Sequence, residues 1–445
     1  MIPSRGFYRA DTLYLSNGPV AEKACTISPM QVEVSTTPTG LKVATESVPE
    51  VRSVAVGCWV YTGSRDELPH EAGAAHFLEH LLFKGTDNLS ARDISETFDS
   101  IGAQSNAFTS KEATCFWARM LDKELPTGLD LLAEMLQRPA FRPEEVSSER
   151  NVVIEEINMN EDDPSDVAAE AFLRTLFRGH PLGLPVLGTR ESIGSMTPED
   201  LRGYWRRRYG SGTVVIAAAG NVAHSELLDM VTDRFGDWEA GDDRHEQTSP
   251  QVESQVKVVE RDTEQVHLVY GGESIHRTDE GRYADAVMHH ILGGGMSSRL
   301  FRKIREERGL AYAVHSFAMR FAETGLWGIY IGTTPANAHT VMEILNEEIG
   351  AMIKDGVTEA ELERAKGHMR GALALSLEDT NARMIRLGRN HIFGLRHLSL
   401  DERLEKIEST TRDDIAEIAA RTLKGPRVVG AVGPLPAQEF EGYLA

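Results

Sequence analysis

The chain repeats itself once. Residues of the first half recur in the second, displaced by 213 or 214 positions. Asp66-Glu67 returns as Asp279-Glu280, and Glu149-Arg150 returns as Glu363-Arg364. The apolar run from Thr213 to Ala218 returns as the run from Arg427 to Val432, each soon followed by a glycine (Gly220, Gly433). Ile193, followed by a Thr-Pro-Glu-Asp-Leu segment from Thr197, returns as Ile407, followed by Thr-Arg-Asp-Asp-Ile from Thr411. Each match alone is trivial, but a constant register across 445 residues indicates duplication. The period far exceeds the roughly 20–50 residues of a solenoid unit, so it implies two similar domains in tandem. The polar, Gly- and Pro-containing stretch 237–254 reads as the linker between them. The expected divisions are an extension (1–31), a first domain (32–236), the linker, and a second domain (255–445).

Within each half the strand-like and helical patterns segregate. Residues 53–61 alternate small and apolar side chains, as a half-buried strand does, and 213–219 reads as a buried strand. Residues 75–83, 126–136 and 143–160 read as helices, the last two opened by Pro126 and by Pro143 with two glutamates. The pattern predicts an α+β architecture in which each half is a sheet with helices packed on one face.

Composition removes several functions. Forty-seven basic against sixty-eight acidic residues give a net charge of −21, which disfavours nucleic acid as a partner and suits basic ones. No apolar run approaches the ~18 residues of a membrane span. Cys25, Cys58 and Cys115 form neither a disulfide framework nor a metal cluster, as expected in a reducing compartment. The first thirty residues have no apolar signal core, and Asp11 and Glu22 count against a mitochondrial leader. A bacterial cytoplasmic location is therefore expected ahead of a mitochondrial matrix one.

The chemistry-bearing segment is His76-Phe77-Leu78-Glu79-His80. On a helix, residues i and i+4 share a face, so both imidazoles can reach one ion, and Glu79 at i+3 stands beside it. A carboxylate there can serve as general base to a metal-activated water. The competing reading is an amphipathic helix with two incidental histidines, since Phe77, Leu78, Leu81 and Leu82 also suit a core. The repeat weighs against it. The matching positions are His289, Leu292 and Gly293, so one half carries the full set and the other does not.

The order His-x-x-Glu-His is the inverted form of the common zinc-protease motif. With the segments around it, from about residue 32 to 440, the sequence resembles the pitrilysin/insulinase family of zinc metallopeptidases. It is most similar to the short, two-domain branch that includes the mitochondrial processing peptidase β subunit and bacterial relatives. The resemblance implies one zinc ion per chain, held by His76, His80 and a glutamate seven residues after the acid of a Glu-Arg pair. That position is Glu156, with Glu149 as the acid that orients a ligand imidazole. Glu155 is the rival ligand, but positions 149 and 156 share a helical face and 155 is turned about 100° away. Glu79 is implied as the general base of peptide-bond hydrolysis. The segment from Gly102 to Thr114 resembles the family's edge strand, with Asn106 and Ala107 facing an extended substrate.

In the second half, Gly293-Gly294-Gly295 lacks the Gly-Lys-Ser/Thr ending of a phosphate loop. Arg305 and Tyr312 match a family pair that binds substrate and stabilises the developing oxyanion. Longer relatives close four such domains as a clamshell chamber. The resemblance therefore implies a homodimer of this two-domain chain, with Arg305 and Tyr312 serving the zinc site of the other copy. The expected substrate is a peptide or unfolded segment, with a basic one favoured by charge. The alternative is a catalytically inactive structural or partner subunit of the processing-peptidase or respiratory core-protein kind.

Overall fold

The computed structural model describes residues 32–241 and 248–444. The extension expected over 1–31 and part of the expected linker, 242–247, lie outside them. The first half contains strands β1 (Val32–Thr36), β2 (Lys42–Ser47), β3 (Ser53–Val60), β4 (Gln104–Thr109), β5 (Thr114–Leu121) and β6 (Val214–Gly220). Its helices are α1 (Ala74–Leu81), α2 (Ala91–Ser100), α3 (Leu125–Gln137), α4 (Pro143–Asp162), α5 (Pro164–Leu176), α6 (Arg190–Ser195), α7 (Pro198–Arg208) and α8 (His224–Phe235). The second half contains β7 (Gln255–Glu260), β8 (Val266–Ser274), β9 (Ala311–Arg320), β10 (Gly325–Thr333) and β11 (Arg427–Gly433). Its helices are α9 (Arg282–Gly293), α10 (Ala338–Asp355), α11 (Glu359–Ser376), α12 (Thr380–Ile392), α13 (Leu400–Glu408), α14 (Arg412–Thr422) and α15 (Gln438–Glu441).

The two sheets share one topology. The first runs β1-β2-β6-β3-β5-β4 and the second β7-β11-β8-β10-β9. Apart from the added edge strand β1, each position in one has its counterpart in the other. The closing strand of each half returns to the sheet centre, parallel to β2 or β7 and antiparallel to β3 or β8. The fold is α+β, as the segregated patterns predict.

One face of each sheet packs on its own half's helices, forming the two largest apolar cores. The opposite face carries one helix from the other half. Met384, Leu387 and Ile392 of α12 pack on Trp59, Val215 and Ala217 of the first sheet. Ala168, Phe172 and Leu176 of α5 pack on Val269, Val428 and Val432 of the second. The exchange demands close approach. A Cβ on Gly430 would stand 2.2 Å from the Phe172 backbone nitrogen, so only glycine lets α5 lie on β11. Each half thus completes the core of its partner.

Candidate metal centre

Helix α1 is short and buried on almost every side, through Ala74, Ala75, His76, Phe77, Leu78 and Leu81. Its start is fixed by Glu67, whose two oxygens accept the Gly73 and Ala75 N–H groups at 2.7 and 2.8 Å. Helix α4 runs beside it and buries Val146, Glu149, Val153 and Ile157. This i, i+3, i+7, i+11 stripe turns Glu149 toward α1. Arg150 anchors the far side of α4, donating to the carbonyls of Ile193 and Met196 at 3.2 and 2.7 Å.

The packing of α1 on α4 brings His76, His80 and Glu156 together. One donor atom from each lies within 4.8 Å of the others, the only such group of three among the described residues. The Nε2 atoms of both histidines stand 3.4 Å from Glu156 Oε2, which is buried without a hydrogen-bond partner. Ligands about 2.1 Å from a tetrahedral zinc are about 3.4 Å apart, so the donor set and its spacing fit zinc. Glu155 bonds Asn158 on the exposed side of α4 and is not part of the group.

The surroundings tune each member. Glu149 Oε1 lies 3.0 Å from His80 Nδ1, and Lys84 Nζ holds its other oxygen at 2.7 Å. Burial would raise the Glu149 pKa, but His80 and Lys84 outweigh it and hold it below the usual range. Burial, reinforced by His80, lowers His76 to about 4, leaving it the neutral imidazole a metal needs. Burial also opposes charge on His80, yet Glu149 and Glu156 raise it to about 9. Glu79 is pushed up by burial, while the nearby Thr109 hydroxyl pulls the other way. An elevated carboxylate pKa improves a general base.

Sequence patterns do not reveal Lys84, Thr109 or Glu67 as supports of this centre. Lys84 lies four residues beyond His80, and Thr109 lies within the quoted edge segment. Their partners come from other elements, so no local spacing marks them.

The structure also places the remaining candidates. Among the described residues, β4 stands at the edge of its sheet and pairs with β5. Asn106 is exposed, and its side-chain oxygen accepts the Ala107 N–H at 2.8 Å. Arg305 lies in a π-helical turn (Phe301–Glu306) and Tyr312 on the edge strand β9. They touch: Arg305 Nη1 donates to the Tyr312 carbonyl at 2.9 Å, and its guanidinium lies 4.2 Å from the ring centroid. Tyr312 is 78% exposed.

In the second half the matching positions form no such group among the described residues. His289 is buried, with Asp285 Oδ1 3.5 Å away, and Arg370 pairs with Glu408 at 2.7 Å. Gly293 stands where a histidine would be needed, but any Cβ there would lie 2.7 Å from the Ser316 nitrogen. The close approach of α9 to β9 forbids a side chain.

The fold is one of twin α+β halves, with one candidate His/His/Glu metal centre among the described residues. Residues 42–190 match the family described as Insulinase (Peptidase family M16), and residues 195–369 match the one described as Peptidase M16 inactive domain. The chain is 41% identical over 412 residues to an uncharacterized zinc protease of Streptomyces coelicolor, spanning 91% of this chain and 90% of the relative. It is 39% identical over 395 residues to the uncharacterized zinc protease YmxG of Bacillus subtilis, spanning 89% and 96%. A crystal structure of a peptidase M16 inactive domain from Pseudomonas fluorescens superposes with a TM-score of 0.84 at 21% identity, covering 92% of this chain and 99% of that one. A Helicobacter pylori protease superposes at 0.83, also at 21% identity, covering 91% and 99%. The chain belongs to the M16 peptidase family. No helix among the described residues is long and apolar enough to cross a membrane.

Proposed function

We propose that the chain is a zinc-dependent endopeptidase acting on peptides or extended, unfolded segments. The observation that carries this reading is the convergence of His76, His80 and Glu156 within 4.8 Å, with Glu79 beside them on α1. The zinc-protease names of the relatives support the same metal. When bound, zinc supplies a Lewis acid for the peptide carbonyl and acidifies a water. His76 and His80 offer Nε2, and Glu149 orients the His80 ring through Nδ1. Glu79 takes a proton from the water that attacks the carbonyl and returns it to the departing amine as the C–N bond breaks. No acyl-enzyme forms, because the nucleophile is water.

Residues 32–236 carry the chemistry in this reading, joined through 237–254 to the second half, 255–445. The free edge of β4 offers main-chain groups to an extended substrate near Asn106 and Ala107. That mode reads backbone more than sequence, so it favours unfolded segments. Two copies assemble, and Arg305 and Tyr312 of one copy contact the substrate held by the other. Bacterial relatives fit a bacterial setting. The deciding experiment combines metal analysis with cleavage of a mixed peptide library. Wild type should hold one zinc per chain and cleave; Glu79→Gln should hold zinc and lose about 10²–10⁴-fold in rate. Wild-type protein without metal and without cleavage would favour the inactive-subunit reading.

A further inference from the structure

The repeat folds back on itself at a cluster of two arginines and two glutamates, with Arg65 and Glu112 buried and Arg277 and Glu323 half-buried. Arg65 precedes α1, and Arg277 precedes α9, 212 residues later. Glu112 sits in the β4–β5 turn, and Glu323 sits in the β9–β10 turn, 211 residues later. These positions lie within a few residues of the repeat register, at corresponding places in the two sheets, and they interlock. Arg65 Nη1 donates to Glu112 Oε1 at 2.8 Å within its own half and to Glu323 Oε2 at 3.0 Å in the other. Arg277 pairs across the join with Glu112. The Ala322 N–H also crosses it, donating to Glu112 Oε1 at 3.2 Å. The main chain repeats the arrangement: Arg65 N–H donates to the Lys111 carbonyl at 3.0 Å, and Arg277 N–H to the Phe321 carbonyl at 2.9 Å.

This clasp grips both supports of Glu79. Two residues beyond Arg65, Glu67 holds the first N–H groups of α1. Three residues before Glu112, Thr109 ends β4 with its hydroxyl 3.5 Å from the Ala75 carbonyl of α1, one turn before Glu79. Charge-assisted, multiply bonded arginine–carboxylate contacts fix geometry more tightly than apolar packing does. We propose that Arg277 and Glu323, from the half without ligand residues, are positioning residues for Glu79. By holding Glu112 and Arg65 they keep the end of β4 and the start of α1 in one register. The second half thereby has a task within its own chain. The inference rests on the reading of Glu79 as general base.

A second buried ion cluster crosses the same join and serves as the control. Arg383 and Arg386 of α12 pair with Glu46 of β2, away from α1 and β4. The test compares Arg277→Met, Arg277→Lys, Glu323→Gln and Arg386→Met in the full chain. It measures amide hydrogen exchange over 63–81 and 104–114, zinc content, melting temperature, and kcat and KM on a cleaved peptide. Arg277→Met and Glu323→Gln should speed exchange in both segments about tenfold. They should lower kcat about 10- to 100-fold with KM and zinc content nearly unchanged. Arg277→Lys should recover part of each. Arg386→Met should lower the melting temperature and leave both segments and kcat as in wild type. Unaltered exchange in Arg277→Met and Glu323→Gln, or an equal loss of kcat in Arg386→Met, overturns the proposal. A wild-type chain that cleaves nothing defeats the peptidase reading instead, and the exchange rates still decide the positioning.

Discussion

Glu149 Oε1 stands 3.0 Å from His80 Nδ1, and this contact leaves Nε2 as the nitrogen turned toward Glu156. Lys84 completes the chain of contacts at 2.7 Å from the other Glu149 oxygen. Glu149→Ala should therefore weaken zinc binding about 10- to 100-fold, measured by chelator competition. Lys84→Met should act in the same direction and less, since it leaves the carboxylate in place. Zinc affinity equal to wild type in Glu149→Ala would remove it from the centre.

Arg305 and Tyr312 pack on each other at the β9 edge, in the half without ligand residues. In the proposed two-copy assembly, a chain lacking Glu79 mixed with a chain lacking Arg305 and Tyr312 should regain activity, because one site then keeps all its partners. Activity no higher than the sum of the separate variants rejects the in-trans arrangement.

Gly293 fills the place of a metal-binding histidine, yet α9 lies so near β9 that a Cβ would stand 2.7 Å from the Ser316 nitrogen. Gly293→Ala should destabilise the protein by about 1–3 kcal/mol through overpacking. Denaturant unfolding measures this. A stability equal to wild type would show that α9 can move away from β9 without cost.

Arg299 holds Glu361 at the start of α11 with two hydrogen bonds of 2.7 and 2.9 Å. Burial would raise the Glu361 pKa, but Arg299 and the Thr358 N–H outweigh it and hold it at about 2. A folded-state pKa below the ordinary 4.5 contributes stability above pH ~4.5, lost as pH falls toward 2. Glu361→Gln should therefore lower the melting temperature at pH 7 and show a smaller further loss between pH 4.5 and 2.5 than wild type. Parallel melting curves across that range would place the acid sensitivity elsewhere.

Much of the local structure is legible from residue order. The helix expected over 143–160 runs from Pro143 to Asp162, and the strand expected over 213–219 runs from Val214 to Gly220. Both follow from short-range rules: proline at a first turn, buried apolar runs, glycine at a strand end. The match of the two sheets was legible as a repeat, because duplicated sequence folds to duplicated topology. The exchange of α5 and α12 was not. Each helix has an apolar face, and no periodicity says which sheet receives it.

The sequence by itself determined the two-fold plan and the pairing of His76 with His80, because one helical turn sets their distance wherever the helix lies. Resemblance supplied Glu156 and Glu149, and sequence geometry only chose between neighbours on α4. The tertiary structure decided what stands around them: Lys84 against Glu149, Thr109 against Glu79, and the Arg65, Glu112, Arg277 and Glu323 clasp. Those contacts join residues from separate elements and, in the clasp, from separate halves. Their geometry is set by packing across the whole chain, and no local spacing encodes it.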